Sequence, residues 1–553
     1  MKKRTKVILI VVGALFLAYN GLELYMEHRL GRMININPER AYDIHFKSID
    51  LHMFFKGVTL DEVGIVPIAA DSTGTIVKGT VNFANMDGLV WYQLLFGRRL
   101  NIDGIRFVRP TFVVNLASDT IKKSSGTAMQ GLFGDLLSRA KLSRFEIDQG
   151  SVIIMHPNKE TIKGQVSNFN LKANEIETDS VIWNHLIPFQ LGSLEASVDS
   201  ISYMVNEHTR ASSGKIAYKT SENRLTLNDL QMKFTMNWMD VSRKLGKQID
   251  LMEVDLKELY LENLQASSRF YSDLDIEADK IVINGLLFTD RRDKNMPRPP
   301  DDIKPMFKGM IDAIPITVKV DTILLEDSAV HYGELGVGKS NAGMLRFEEV
   351  NGTITRLTTL PDEQEVYQSF EAKIQARLNG LADVSLNLTV PYDREAFHAL
   401  AHIGQMDLSR LNETVGPMAG VEVTSGKMDR IQFEMDATEY SSNNKLQFDY
   451  SDLKINVIKE GSDNENHSNA LMSAIANTAI RHHNLPSQGK YLTAEYSSQR
   501  NRYRGPFNLM WHSLSEGMTH IVPGTLVQKI IGVDKSSKKA SKKERKSKRK
   551  KNN

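Results

Sequence analysis

The chain of 553 residues contains no cysteine. This excludes a disulfide framework, a thiolate nucleophile and any metal site built on cysteine, so the fold must be held by hydrogen-bonded sheet and packing alone. Common enzymatic signatures are also missing. There is no nucleophile elbow and no dinucleotide fingerprint, and no carboxylate pair stands out from the many Asp and Glu residues. Strong net charge is lacking too. The formal value is +2, of which the first six residues carry +4 and residues 535–553, with eleven Lys/Arg and one Glu, carry +10; the remainder therefore carries −12.

What the sequence does contain is alternation. From Phe370 to Val390 every even position is apolar or small: Phe370, Ala372, Ile374, Ala376, Leu378, Gly380, Ala382, Val384, Leu386, Leu388, Val390. The odd positions are polar apart from Leu381. Successive side chains of a strand point to opposite faces, so this is β-structure with one dry and one wet side. Asn379-Gly380 marks a hairpin. A two-residue loop would set the apolar face of one arm beside the polar face of the other. A three-residue loop, Leu378-Asn379-Gly380, pairs Ala376 with Ala382 and Ile374 with Val384, so that the apolar faces coincide.

Similar strands recur. Leu230, Met232, Phe234, Met236 and Trp238 alternate with polar residues, as do Ile431, Phe433, Met435 and Ala437, and then Leu446, Phe448 and Tyr450. Ile44 to Leu60, Thr75 to Phe83 and Leu100 to Leu116 read as further strands, the last with Ile102, Val108, Phe112, Val114 and Leu116 on one face and a bulge or edge at Pro110. RFEIDQGSVIIMH at 144–156 and VDTILLEDSAVHY at 320–332 repeat one phrase, a strand, a Gly or acidic turn and a second strand. The spacing is too irregular for a named solenoid repeat. Helices are expected at Gly88–Phe96, Met129–Ala140, 240–251, Pro305–Ala313, Arg394–Ile403 and Ser468–His482, and a loop at MPRPPDD, 296–302. Strands are expected to end near residue 460. A helix at 506–522 opens on Pro506 and carries a stripe of Phe507, Met510, Trp511, Leu514, Met518, Ile521 and Val522. That stripe needs an apolar partner, either the end of the sheet or a membrane interface. The basic tail is disordered on composition; outside the cytoplasm its natural partners are anionic head groups or acidic glycolipids, and a merely solubilising tail is the equal alternative.

Val7 to Met26, behind Lys2, Lys3, Arg4 and Lys6, reaches the roughly 20 residues that cross a bilayer core. Basic residues stay on the cytoplasmic side, which places the chain after Met26 outside it. A cleaved signal peptide is the alternative; no small-x-small cleavage site favours it.

Three motifs are set aside. Gly333–Ser340 (GELGVGKS) has the letters of a phosphate-binding loop, but the next residues return to strand alternation rather than opening a helix, so a hairpin loop is the ordinary reading. His398 and His402 stand four apart in the expected helix without a Glu in the catalytic arrangement, and His482 and His483 are adjacent and diverge. No cofactor, nucleotide or nucleic acid is implied, and no enzyme.

Two stretches carry a family resemblance. GTIVKGTVNFANMDGLVWYQLLFGRRLNIDGIRFVRPTFVVNL, behind the short basic start and apolar span, and MDLSRLNETVGPMAGVEVTSGKMDRIQFEM at 406–435 resemble AsmA-like proteins, the bacterial envelope family that includes the TamB group. The resemblance implies an inner-membrane, single-pass anchor at 7–26 bearing an elongated, twisted antiparallel β-sheet over 27–460 in the periplasm. It also implies a groove of the general kind found in eukaryotic chorein-type bridge lipid carriers. A C-terminal helical region, 461–534, and the basic tail, 535–553, follow. The implied task is movement of phospholipid toward the outer membrane, or upkeep of that membrane, with an outer-membrane component as the distal partner.

The residues agree with this, since a sheet with one apolar face must bury it in a second layer or fill it with something else. Acyl chains are one filling and a closed sandwich, serving as an outer-membrane assembly adaptor, the other. The candidate groove residues are Leu230, Met232, Phe234, Met236, Phe370, Ile374, Val384, Leu386, Leu388, Ile431 and Phe433.

Overall fold

The computed structural model describes residues 2–35, 40–52, 57–68, 76–89, 100–116, 140–141, 143–157, 160–176, 192–264, 275–299, 303–419, 421–457 and 479–523. Among them 25 strands are present, 23 in one hydrogen-bonded sheet, with an N-terminal helix and few others. The chain divides into two compact units, Met1–Gln231 with Leu259–Ala278, and Met232–Glu258 with Asp279–Asn553.

The first unit begins with the helix Lys2–Ile34, which runs eight residues past the expected end of the span at Met26. Strands Tyr42–His45 and Ser48–His52 both pair with Gly57–Pro67, which pairs in turn with Ile76–Asp87 and that with Gly104–Asn115. The next step breaks the antiparallel rule: Gly104–Asn115 runs parallel to Arg144–Met155, and Leu100–Asn101 runs parallel to Ala140–Lys141 in a separate two-stranded sheet. A parallel step requires a crossover rather than a hairpin, and residues 116–143 supply it. Ile162–Asn174 then returns antiparallel.

The repeated phrase is not strand, turn, strand. Arg144–Met155 and Val318–Leu335 are each continuous, and the supposed turns are bulges at Gln149 and Asp327 with φ of 53° and 45°. Glu62, Arg109 and Asn168 in the first unit, and Glu349 and Asp452 in the second, hold the same left-handed conformation inside strands. An extra residue reverses which side chains face the core. Hence Val58 and Leu60 are buried before Glu62 but Val63 and Ile65 after it, and Phe107 rather than Val108 shares the buried face with Phe112 and Val114. One device serves both units. Gln149 N donates to Asn170 Oδ1 (2.9 Å) while Asn170 Nδ2 donates to Asn168 O (3.3 Å); likewise Asp327 N donates to Asn351 Oδ1 (3.1 Å) and Asn351 Nδ2 to Glu349 O (2.9 Å). In each case an Asn two residues after one bulge satisfies the backbone of the bulge next door.

In the second unit an antiparallel ladder runs from Val318–Leu335 through Ala342–Thr358, Ser369–Leu378, Ala382–Pro391, Ala396–Ile403, Val421–Thr438 and Ser441–Val457 to Thr493–Gln499. The last strand lies beyond the point where strands were expected to end. The 370–390 hairpin keeps the expected parity with its register moved by two: Leu378 pairs with Ala382 and Ile374 with Leu386, around Asn379, Gly380 and Leu381. Arg394–Ile403 is not a helix. Ala396–Ile403 is a strand between two partners, with Phe397 and Ala399 buried and His398 exposed, an alternation masked by the helix propensity of alanine. The helix expected at 240–251 runs from Trp238 to Leu245, capped by Asn237 and stopped by Gly246 at φ 61°, so Met236 lies past the end of its strand, Arg224–Phe234. The helices at Phe307–Asp312 and Pro506–Ile521 agree with expectation. Most of Gly88–Phe96, Met129–Ala140 and Ser468–His482, part of the 296–302 loop and the basic tail lie outside the described residues.

Candidate functional site

The N-terminal helix joins two environments. Ile10–Ile34 is long and apolar enough to cross a membrane. From Ile10 (69% exposed) to Tyr25, ~24 Å of helix, most of its apolar side chains are exposed. The next residue, Met26, is buried, and with Leu30, Met33 and Ile34 it forms a stripe that docks against Tyr42–His45 and Ser48–His52. Asn35 closes the joint, accepting from Ile44 N (3.0 Å) and donating to Ile44 O (2.7 Å). One helix therefore carries both the outward-facing span and the stripe seated on the first strands.

The candidate groove residues fall into two groups. Phe370, Leu388, Ile431 and Phe433 lie in the second unit's core, each less than one-tenth exposed. Over that core lie Pro506–Ile521, seated on Ser441–Val457 and Thr493–Gln499, and Phe307–Asp312, seated on Ala382–Pro391 and Ala396–Ile403. Val384 and Leu386 pack against the same core but stay half-buried; Ile374 is half-buried and outside it. Met232, Phe234 and Met236 in the second unit, and Leu230 in the first, are half-buried as well. The apolar face is thus sealed under the helices and only partly covered elsewhere.

A polar cluster that alternation did not reveal interrupts the second unit. At the end of Ile276–Asp293, the Arg292 guanidinium pairs with Asp250, and the Arg504 guanidinium donates to Gln248. On Val318–Leu335, Tyr332 Oη donates to Glu334 Oε2 (2.9 Å), and Lys294 Nζ reaches Glu334 Oε1 at 2.5 Å. Burial, and then the Asp250 charge, push the Asp290 carboxyl up to about 7, and its Oδ1 has no hydrogen-bond partner. Burial and then Glu334 push the Tyr332 hydroxyl well above the ordinary phenol range. The only sequence signal was an unbroken polar run, Thr289 to Asp293, where apolar residues should have alternated.

Two concave surfaces stand out among the described residues, and polar side chains dominate both. One, ~460 Å³, lies between Lys47, Ser48, Asp61, Glu62, Asn82 and Phe83; the other, ~300 Å³, between Arg346, Asn379, Leu381, Ser409, Arg410, Asn412 and Glu413. Gly333–Ser340 is the end of a strand and a hairpin loop before Ala342–Thr358, with no helix behind it. His398 and His402 lie on a strand, where four residues span ~13 Å; His398 instead meets Asp436 at 2.7 Å. No group of three His, Asp or Glu residues among those described is placed to hold a metal ion. No family model and no curated protein matches the chain.

Proposed function

We propose that the protein is a non-enzymatic phospholipid carrier of the bacterial envelope. In this reading it is fixed in the inner membrane by its N-terminal helix and holds acyl chains against the apolar face of its sheet in the periplasm. The observation that carries the reading is the helix whose outward-facing apolar span continues into a buried stripe seated on the first strands. A sheet seated against a bilayer needs no soluble intermediate to receive lipid from it. Half-buried Met232, Phe234, Ile374, Val384 and Leu386 give an acyl chain apolar surface, at ~25 cal/mol for each Å² removed from water. The basic first residues place the N-terminus in the cytoplasm. The resemblance to AsmA-like proteins supports the same task and names the outer membrane as destination.

The test is mass spectrometry of lipid retained by the full chain after purification in mild detergent, with a single-span protein of unrelated fold as control. Phospholipid in fixed proportion to protein, beyond the control, is expected. Retention equal to the control would overturn the proposal in favour of a second reading, an outer-membrane assembly adaptor with a closed core. That reading draws on Phe370, Leu388, Ile431 and Phe433, which are buried in the second unit's own core.

A further inference from the structure

The helix Pro506–Ile521 buries Pro506, Leu509, Ser513, Gly517 and Ile521, so of the expected stripe only Ile521 is fully buried, while Met510, Leu514, Met518 and Val522 pack against the core half-buried. Two aromatic residues of that stripe do not follow. Phe507 is 64% exposed and Trp511, one turn on, 51%. The Phe507 ring stands edge-on to Phe307, with centroids 5.1 Å apart. Just before the helix, Lys304 N donates to Arg502 O (2.9 Å), so Ile303 and Tyr503, each half exposed, sit one residue from that contact. The Arg502 guanidinium lies 4.9 Å above the ring of Tyr440, which is also more than half exposed. Ile303, Tyr440, Tyr503, Phe507 and Trp511 thus expose apolar surface on or beside these linked segments of the second unit, next to Lys304 and to Arg502, whose guanidinium pairs with Glu439 (2.5 Å).

Its composition selects the partner. Tyr and Trp rings, apolar in body and polar at the tip, settle at the level of lipid head groups, and arginine reaches from there to phosphate. The chain that follows adds eleven Lys/Arg against one Glu in residues 535–553. So dense a run of one sign is complementary to an extended negative surface rather than to a single acidic side chain. We propose that this aromatic patch docks on an anionic lipid bilayer. The proposal is independent of whether the sheet carries lipid.

The full chain, held by its N-terminal helix in a nanodisc of phosphatidylcholine, would be mixed with vesicles of brominated phosphatidylcholine with or without phosphatidylglycerol. Bromine quenches only tryptophan that reaches the acyl region, and subtracting the signal of Trp511→Phe isolates Trp511. The expected result is loss of Trp511 emission with phosphatidylglycerol present and none without it. Phe507→Ser, with melting temperature unchanged, should reduce that loss, as should replacing the tail cations by serine. If Phe507→Ser does not fold, wild type against Trp511→Phe decides alone. The proposal is overturned if anionic vesicles co-float with the chain while Trp511 stays unquenched, which would make the tail sufficient. It is overturned equally if no vesicles bind, or if Trp511 becomes shielded with rising protein concentration in the absence of vesicles, which would make a second copy the occupant.

Discussion

Asp290 holds a carboxyl oxygen shut away from water with no hydrogen-bond partner, beside an Asp250–Arg292 pair that already balances its own charges. Ionising it adds a charge that burial and Asp250 both oppose, which is why it titrates near 7 rather than near 3.8. The folded chain therefore holds this proton more tightly than the unfolded chain does. Its contribution to stability is full below the ordinary carboxylate range and is lost as pH rises through about 7. Asp290→Asn removes the ionisation and leaves the Arg292–Asp250 pair in place. The variant should be more stable than wild type at pH 8, by about 2–4 kcal/mol in urea unfolding, with the difference fading toward pH 5. A variant less stable than wild type at pH 8 would show instead that the ionised carboxyl is paired with Arg292. In the sequence the polar run Thr289 to Asp293 marks a break in alternation without singling out this residue. Alternation assigns polar side chains to the wet face, and only the folded chain brings Asp250, Arg292 and Asp290 together.

Elements were legible where a local pattern and its long-range partner agreed. The parity argument placed both apolar faces of the 370–390 hairpin on one side, and the two-residue register shift preserves this because faces repeat every second residue. Parity failed at the bulges, where one left-handed residue reverses the faces and reads in sequence as a turn. Asn, Asp, Gln, Glu or Arg, and not glycine, fills each of the positions named above, so no composition rule finds them. The Pro506–Ile521 stripe was legible as amphipathic, but its docking depends on a position the stripe did not contain. At Gly517 a Cβ would fall 2.3 Å from Tyr496 Oη and 2.7 Å from Leu446 Cδ2. Tyr496 Oη is fixed by its bond to Ser513 O at 2.5 Å, on the same helix. Gly517→Ala should therefore lift the helix from Ser441–Val457 and Thr493–Gln499 and cost about 1–3 kcal/mol, even though alanine is the better helix former. Chemical denaturation would show the loss. A stabilised variant, as propensity alone dictates, would mean that the helix is not seated on that glycine.

At the scale of the whole molecule the sequence disclosed an apolar face but not what lies on it. Phe433 and Leu386 belong to alternating stretches of the same kind and were indistinguishable as groove candidates, yet one lies inside the second unit's core and the other at its margin. That core includes Phe307, Leu509 and Ile521, more than 70 positions away from either, which no local pattern reports. It also gives the proposed function a test internal to one protein. Phe433→Asp puts an unpaired carboxylate into a sealed core, which costs several kcal/mol, so the chain should be degraded or fail to accumulate. Leu386→Asp places the same charge where water can reach a half-buried site. If acyl chains occupy that surface, the Leu386→Asp chain should accumulate near the wild-type level and keep its membrane anchor while retaining less phospholipid per protein. The measurement is steady-state level by immunoblot beside lipid recovered from the purified chain. Depletion of both variants alike would mean that the core closes over residue 386 as well, which supports the adaptor. Normal level with undiminished lipid in Leu386→Asp would place the lipid, if any, on another part of the sheet.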